Sequence, residues 1–279
     1  MAASQHPVLK LIEKTMMQSS SLLFYQRPVA LDRERHAALK LSPGADLAFT
    51  AGASVVPLLS AEFTAAAREY PIVFVRGTEQ ELIPVVLTGA PGGHNVYVDN
   101  TGHWNAGYVP AYVRRYPFVF AQTASDQYTV CIDEACPGFG ESTGASLFDA
   151  GGDPSPMLKQ VVTGLGEYQR QAQLTQAFVH RLDAAGLLIE AAGKADLMDG
   201  RRLALQGFWI VDETRLRSLP DATLKDLFVS GEVGLIYAHL VSLGNLLELL
   251  RRQPPAIAVA PALSSEPLAA LSTPSLVTH

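Results

Sequence analysis

Cysteine is scarce. The chain holds two, Cys131 and Cys136, in 279 residues, and their C-x4-C spacing matches neither zinc knuckles nor C-x2-C redox motifs. A disulfide-stapled secreted domain would carry more, so both thiols are expected to be reduced in a cytoplasmic protein. Charge is also thin: Asp, Glu, Lys and Arg make up 17% of the chain, against ~25% in ordinary soluble domains. Ala, Leu, Gly and Pro fill the deficit rather than polar tracts, which argues against disorder for the body of the chain. A basic surplus is missing. The net charge is −6, the pI is about 5.6, and the pairs Arg114–Arg115, Arg201–Arg202 and Arg251–Arg252 are scattered. A nucleic-acid partner would need a basic face. No stretch reaches the ~18 uninterrupted apolar residues of a membrane span. The nearest, Gly231 to Leu250, carries Glu232, His239, Asn245 and Glu248 and has the pattern of a buried helix. Lys10, Glu13 and Lys14 interrupt any apolar signal core near the N-terminus.

What is present is a large apolar fraction, 48%, ample for a sizeable core. Residues 1–20 are poorly patterned and are expected to be an extension. Residues 21–253 form the body, and the Pro/Ala/Ser/Leu-rich stretch 254–279 is expected to be a disordered tail. Within the body, Ser60 is a candidate cap for an Ala-rich helix over 61–69 that stops before Pro71. Short apolar strands are expected at 72–75, 85–87, 96–98, 118–120 and 128–132. Turn residues separate them, and the spacing predicts an antiparallel meander. Ser155, Pro156 and Gly186 bracket a helix of about thirty residues, with Gly164 and Gly166 as possible kinks. Asp199-Gly200 is the type I′ pair of a hairpin between 194–198 and 201–211. Asp212, Asp221, Pro220 and Gly231 punctuate a run of helices ending near Arg252. Strands first and helices later favour an α+β fold.

Several strings together resemble the SapC family of bacterial proteins. They are Phe24-Tyr25 through Pro28-Val29-Ala30-Leu31, Glu69-Tyr70-Pro71-Ile72-Val73-Phe74, and Tyr108-Val109-Pro110-Ala111-Tyr112-Val113-Arg114-Arg115-Tyr116-Pro117-Phe118. Further along come Cys131-Ile132-Asp133-Glu134, Gly207-Phe208 with Val211-Asp212-Glu213, and Gly234 to Leu240. The resemblance spans roughly residues 22 to 252. It implies an accessory protein acting by binding, in the setting of a bacterial surface-array (S-layer) locus or of TonB-dependent nutrient uptake. It implies no catalytic residue set and no cofactor, and its partner is an unknown protein or small molecule. The like-named peptide-transporter permease is a different protein, with several membrane spans.

The residues offer some chemistry of their own. Gly140-Glu141-Ser142-Thr143-Gly144 fits G-x-S-x-G, and Asp199 or Asp212 followed by His239 completes a Ser…Asp…His order. A hydrolase elbow requires a strand running into the serine and a helix leaving it, whereas glycines and Pro137 surround Ser142. A plain loop is the alternative. His94, Asp99 and His103 supply the ligand types of a two-His-one-carboxylate metal site, but all lie on or beside one short segment. His239 sits among apolar neighbours on the last helix, where a core histidine bonded to a backbone carbonyl is the simpler reading. Asp133 and Glu134 are adjacent on a strand end and point to opposite faces, which suits a turn cap, a pair with Arg114 or Arg115, or a ligand better than a carboxylate pair. The densest feature is aromatic: Trp104, Tyr108, Tyr112, Tyr116 and Phe118 interleaved with Arg114 and Arg115. Trp, Tyr and Arg are enriched at binding hot spots. The same four-residue spacing also describes a stripe against the core, although Pro110 and Pro117 oppose one regular helix.

Overall fold

The computed structural model describes residues 22–253 apart from 45, 78–79, 91–92, 125–126 and 197–201, with backbone alone for the remainder of 123–124 and 192–205. The hairpin turn expected at Asp199-Gly200 lies outside the described residues. The strands are β1 (Pro28–Ala30), β2 (Lys40–Leu41), β3 (Val55–Pro57), β4 (Ile72–Arg76), β5 (Leu82–Leu87), β6 (Phe118–Ala124), β7 (Gln127–Asp133), β8 (Phe139–Gly140), β9 (Ala145–Ser146), β10 (Leu188–Asp196) and β11 (Arg202–Val211). The helices are α1 (Phe63–Ala66), α2 (Ala111–Arg114), α3 (Pro156–Ala184), α4 (Glu213–Arg217), α5 (Asp221–Val229), α6 (Glu232–Ser242) and α7 (Leu246–Arg252). Every strand pair is antiparallel, and with the helices this makes the fold α+β.

The chain divides into two compact units, one built from residues up to Asp46 with Arg115–Gln169, the other from Leu47–Arg114 with the chain from Arg170. The first holds two small sheets, ordered β1-β7-β6 and β8-β2-β9. Its core joins Val29, Phe118, Ile132, Leu147, Phe148, Leu158 and Leu165. Strands 118–124 and 127–133 pair closely: Phe118 opposite Ile132 enters this core, and the alternate pair Val119 and Cys131 joins a second apolar cluster with Ala30 and Ala121.

The second unit holds a five-stranded sheet ordered β10-β11-β4-β5-β3. Strands β4 and β5 are apolar on both faces, with Ile72, Val73, Phe74, Val85 and Val86 all fully buried. That is the pattern of a central strand pair covered on either side. Phe63, Phe74 and Phe178 meet edge to face at 6.0–6.5 Å, a preferred geometry for aromatic quadrupoles.

The long helix follows its punctuation. Pro156 opens α3, the Ser155 hydroxyl accepts from the Leu158 N–H at 3.2 Å, and Gly186 closes it with a φ of +64°, a conformation costly for other residues. The helix runs unbroken past Gly164 and Gly166. Asp212 caps α4 by accepting from the backbone N–H groups of Thr214 and Arg215.

Three local expectations are corrected. The strands at 72–87 and 118–133 belong to separate sheets rather than one meander. Residues 96–98 form a turn with a lone Val98–Trp104 bridge, because the Asn95 side chain takes the Tyr97 N–H at 2.9 Å and folds the backbone locally. Ser60 opens a 3-10 turn rather than a long helix. Its N–H donates to the Thr175 hydroxyl at 2.8 Å, and the Glu62 carboxylate takes the Leu59 N–H at 2.9 Å.

The run Glu232–Arg252 is long and apolar enough to cross a membrane by length and mean hydropathy, 1.6. One side of it is tied to the protein. Arg181 grips Glu232, Ser242 accepts from the Ile72 N–H at 2.9 Å, and the Asn245 amide donates to the carbonyls of Ala67 and Tyr70.

Candidate functional site

The aromatic segment resolves into buried and displayed parts. In the second unit, Trp104 and Tyr112 are buried, Tyr112 completely. The Trp104 indole N–H donates to the Tyr70 hydroxyl at 2.8 Å, the Tyr70 hydroxyl donates to the Tyr108 carbonyl, and the Tyr97 ring stacks on Trp104 at 6.4 Å. These rings are core, so the binding surface expected of the segment does not include Trp104 and Tyr112. Tyr108 and Arg114 form its outer part. Glu62 is buried at their base: it accepts from the Tyr108 hydroxyl at 2.6 Å and from the Ala111 N–H at 2.7 Å. The Arg114 guanidinium lies 5.8 Å over the Tyr108 ring and 3.9 Å from Glu62, with more than half of its side chain exposed. Its Nε donates to the Val109 carbonyl at 2.9 Å, which leaves the outer edge of the fork toward solvent. Burial, ahead of the Glu62 bond, pushes the Tyr108 phenol up. It stays a protonated donor and does not serve as a base near neutrality.

In the first unit, the adjacent carboxylates Asp133 and Glu134 divide the work. Asp133 is fully buried and accepts from the backbone N–H groups of Gln26, Arg27 and Ala135 at 2.8–3.1 Å and from the Tyr116 hydroxyl at 3.1 Å. It is the staple that holds residues 26–27 to the end of β7. Burial, ahead of the neighbouring thiol and carboxylate, raises the Tyr116 phenol. Glu134, in the turn just after β7, gathers charged partners instead. Arg27 reaches it at 3.2 Å, Arg35 at 2.7 Å and the buried His36 Nε2 at 3.1 Å. The His36 Nδ1 accepts from the Asp32 N–H at 2.9 Å, which leaves Nε2 as the donor to Glu134. The Arg115 guanidinium lies 4.5 Å over the Tyr168 ring, a largely packing role.

The enzymatic alternatives meet specific obstacles. Ser142 lies in an exposed four-residue bend between β8 and β9 with no helix after it. It is a strand-to-strand turn, not a nucleophile elbow. Gly144 serves that turn: at φ +109°, a Cβ there would lie 2.3 Å from the Leu41 carbonyl. His239 is buried with both ring nitrogens engaged, Nδ1 with the Ile72 carbonyl at 2.9 Å and Nε2 with the Val211 N–H at 3.1 Å. Neither nitrogen is available to activate a hydroxyl. Asp99 spends its carboxylate on its own loop, accepting from Thr101, His103 and Asn105. Those bonds, the Thr101 side chain first, hold it down at about 2. Among the described residues, no three His, Cys, Asp or Glu side chains are grouped to hold a metal ion, so His94, Asp99 and His103 do not converge. Burial pushes the Cys131 thiol up to about 12 and raises Cys136, which removes the thiolate character of a nucleophile.

Of the residues that the sequence singles out, Asp133, Glu134, Tyr108 and Arg114 lie in these two clusters, and their partners Glu62, Arg27, Arg35 and His36 are not singled out by it. Arg27 lies inside the string around Phe24–Leu31. Nothing local marks Glu62 or His36, whose partners lie 46 and 98 residues away.

No curated protein and no solved structure matches the chain. A family model does, the one described as SapC, over residues 31–249. That span takes in both compact units and every site residue above except Arg27, and the chain therefore belongs to the SapC family.

Proposed function

We propose that this protein is a non-catalytic accessory factor of a bacterial surface-layer or nutrient-uptake system, and that it acts by binding a partner through anchored arginines. One observation carries this reading. Glu134, 14% exposed, pins Arg27 and Arg35, whose side chains remain 64% and 53% exposed. A guanidinium offers five donors in a fixed fork, and one carboxylate cannot use all those of two arginines. The remainder face water, already oriented, which lowers the ordering cost of capturing a carboxylate or phosphate on a partner. Tyr108 and Arg114 on Glu62 repeat the arrangement in the second unit. The setting is the one implied by the resemblance to SapC proteins, and the free thiols of Cys131 and Cys136 fit a reducing, cytoplasmic compartment.

The test is affinity capture from the native host with the wild-type chain beside the Arg27→Ala/Arg35→Ala variant, read by quantitative mass spectrometry. The expected result is a surface-array or uptake component retained by the wild type and lost at least ~10-fold by the folded variant, since hot-spot truncations cost more than ~1 kcal/mol. Equal recovery with both chains would overturn the reading.

A further inference from the structure

We draw no further inference here: the strongest candidate, the exposed apolar face of α5, α6 and α7 around Phe228, Tyr237, Val241 and Leu247 with the groove lined by Leu216, Leu224 and Val233, carries nothing because nothing in the structure shows what covers it.

Discussion

Lowering the pH through the range in which an unfolded histidine titrates should destabilise this protein through His239. The ring is fully buried, Nδ1–H donates to the Ile72 carbonyl and Nε2 accepts from the Val211 N–H. It bridges β4 to the end of β11 as a neutral tautomer. Protonating Nε2 would set two N–H donors facing each other without an acceptor. Desolvation by burial accordingly pushes His239 down from 6.5 to about 4. The unfolded chain therefore binds more protons between those two values, and the stability linked to this group is present above the unfolded value and lost as the pH falls toward the folded one. With ~1.4 kcal/mol per unit, the loss amounts to about 2 kcal/mol between pH 7 and pH 5 and about 3 kcal/mol by pH 4. Urea denaturation followed by circular dichroism at a series of pH values would measure it, with His239→Gln as the reference. The glutamine does not titrate, and its amide retains a donor and an acceptor. At pH 7 the variant should be less stable by about 1–3 kcal/mol, the cost of imperfectly replaced buried hydrogen bonds. That gap should close by about 2 kcal/mol at pH 5. Parallel stability curves for the two chains would refute the reasoning.

Other substitutions test other parts of the structure. Tyr112→Ala removes a fully buried ring and should cost ~3 kcal/mol or more in chemical denaturation, whereas Arg114→Ala, on the exposed rim, should stay within ~0.5 kcal/mol. Asp133→Asn replaces one of two acceptor oxygens with a donor facing N–H and O–H groups. It should cost ~2–4 kcal/mol and loosen residues 26–27, visible as faster hydrogen exchange there. A chain trimmed to residues 16–253 should melt with the full-length chain, and a fall of more than ~2–4 °C would mean that an end contributes about 1 kcal/mol to the body.

Punctuation and period made the helical half legible. Ser155 and Asp212 start helices with their own side chains, and Pro156, Gly186, Pro220 and Gly231 start or stop them through their backbones, so the sequence places those boundaries within a residue or two. The sheets were legible as strands but not as sheets. Nothing in Phe118–Phe120 or Tyr128–Ile132 says that β7 takes β1 as its other neighbour, which is decided by pairing across about a hundred residues. Val96–Val98 read as a strand because its residue types suit one, and the Asn95 side chain overrode that preference by offering the backbone a local bond.

For the candidate site the same division explains what was missed. Aromatic spacing at Trp104, Tyr108, Tyr112 and Tyr116 was consistent with both a core stripe and a surface, and the structure divides it between the two. Short α2 ends at Arg114, and the segment leaves helical geometry before Tyr116, so rings four apart in sequence do not share a face. Asp133 and Glu134 were visible as neighbours pointing apart. That one would staple a loop and the other hold two arginines depends on Arg27, Arg35 and His36, brought to Glu134 across a sheet. A carboxylate's role is set by what folding delivers to it. Asp133 receives backbone donors and is structural. Glu134 receives guanidiniums that stay half in water, and those exposed edges are where partner chemistry would begin.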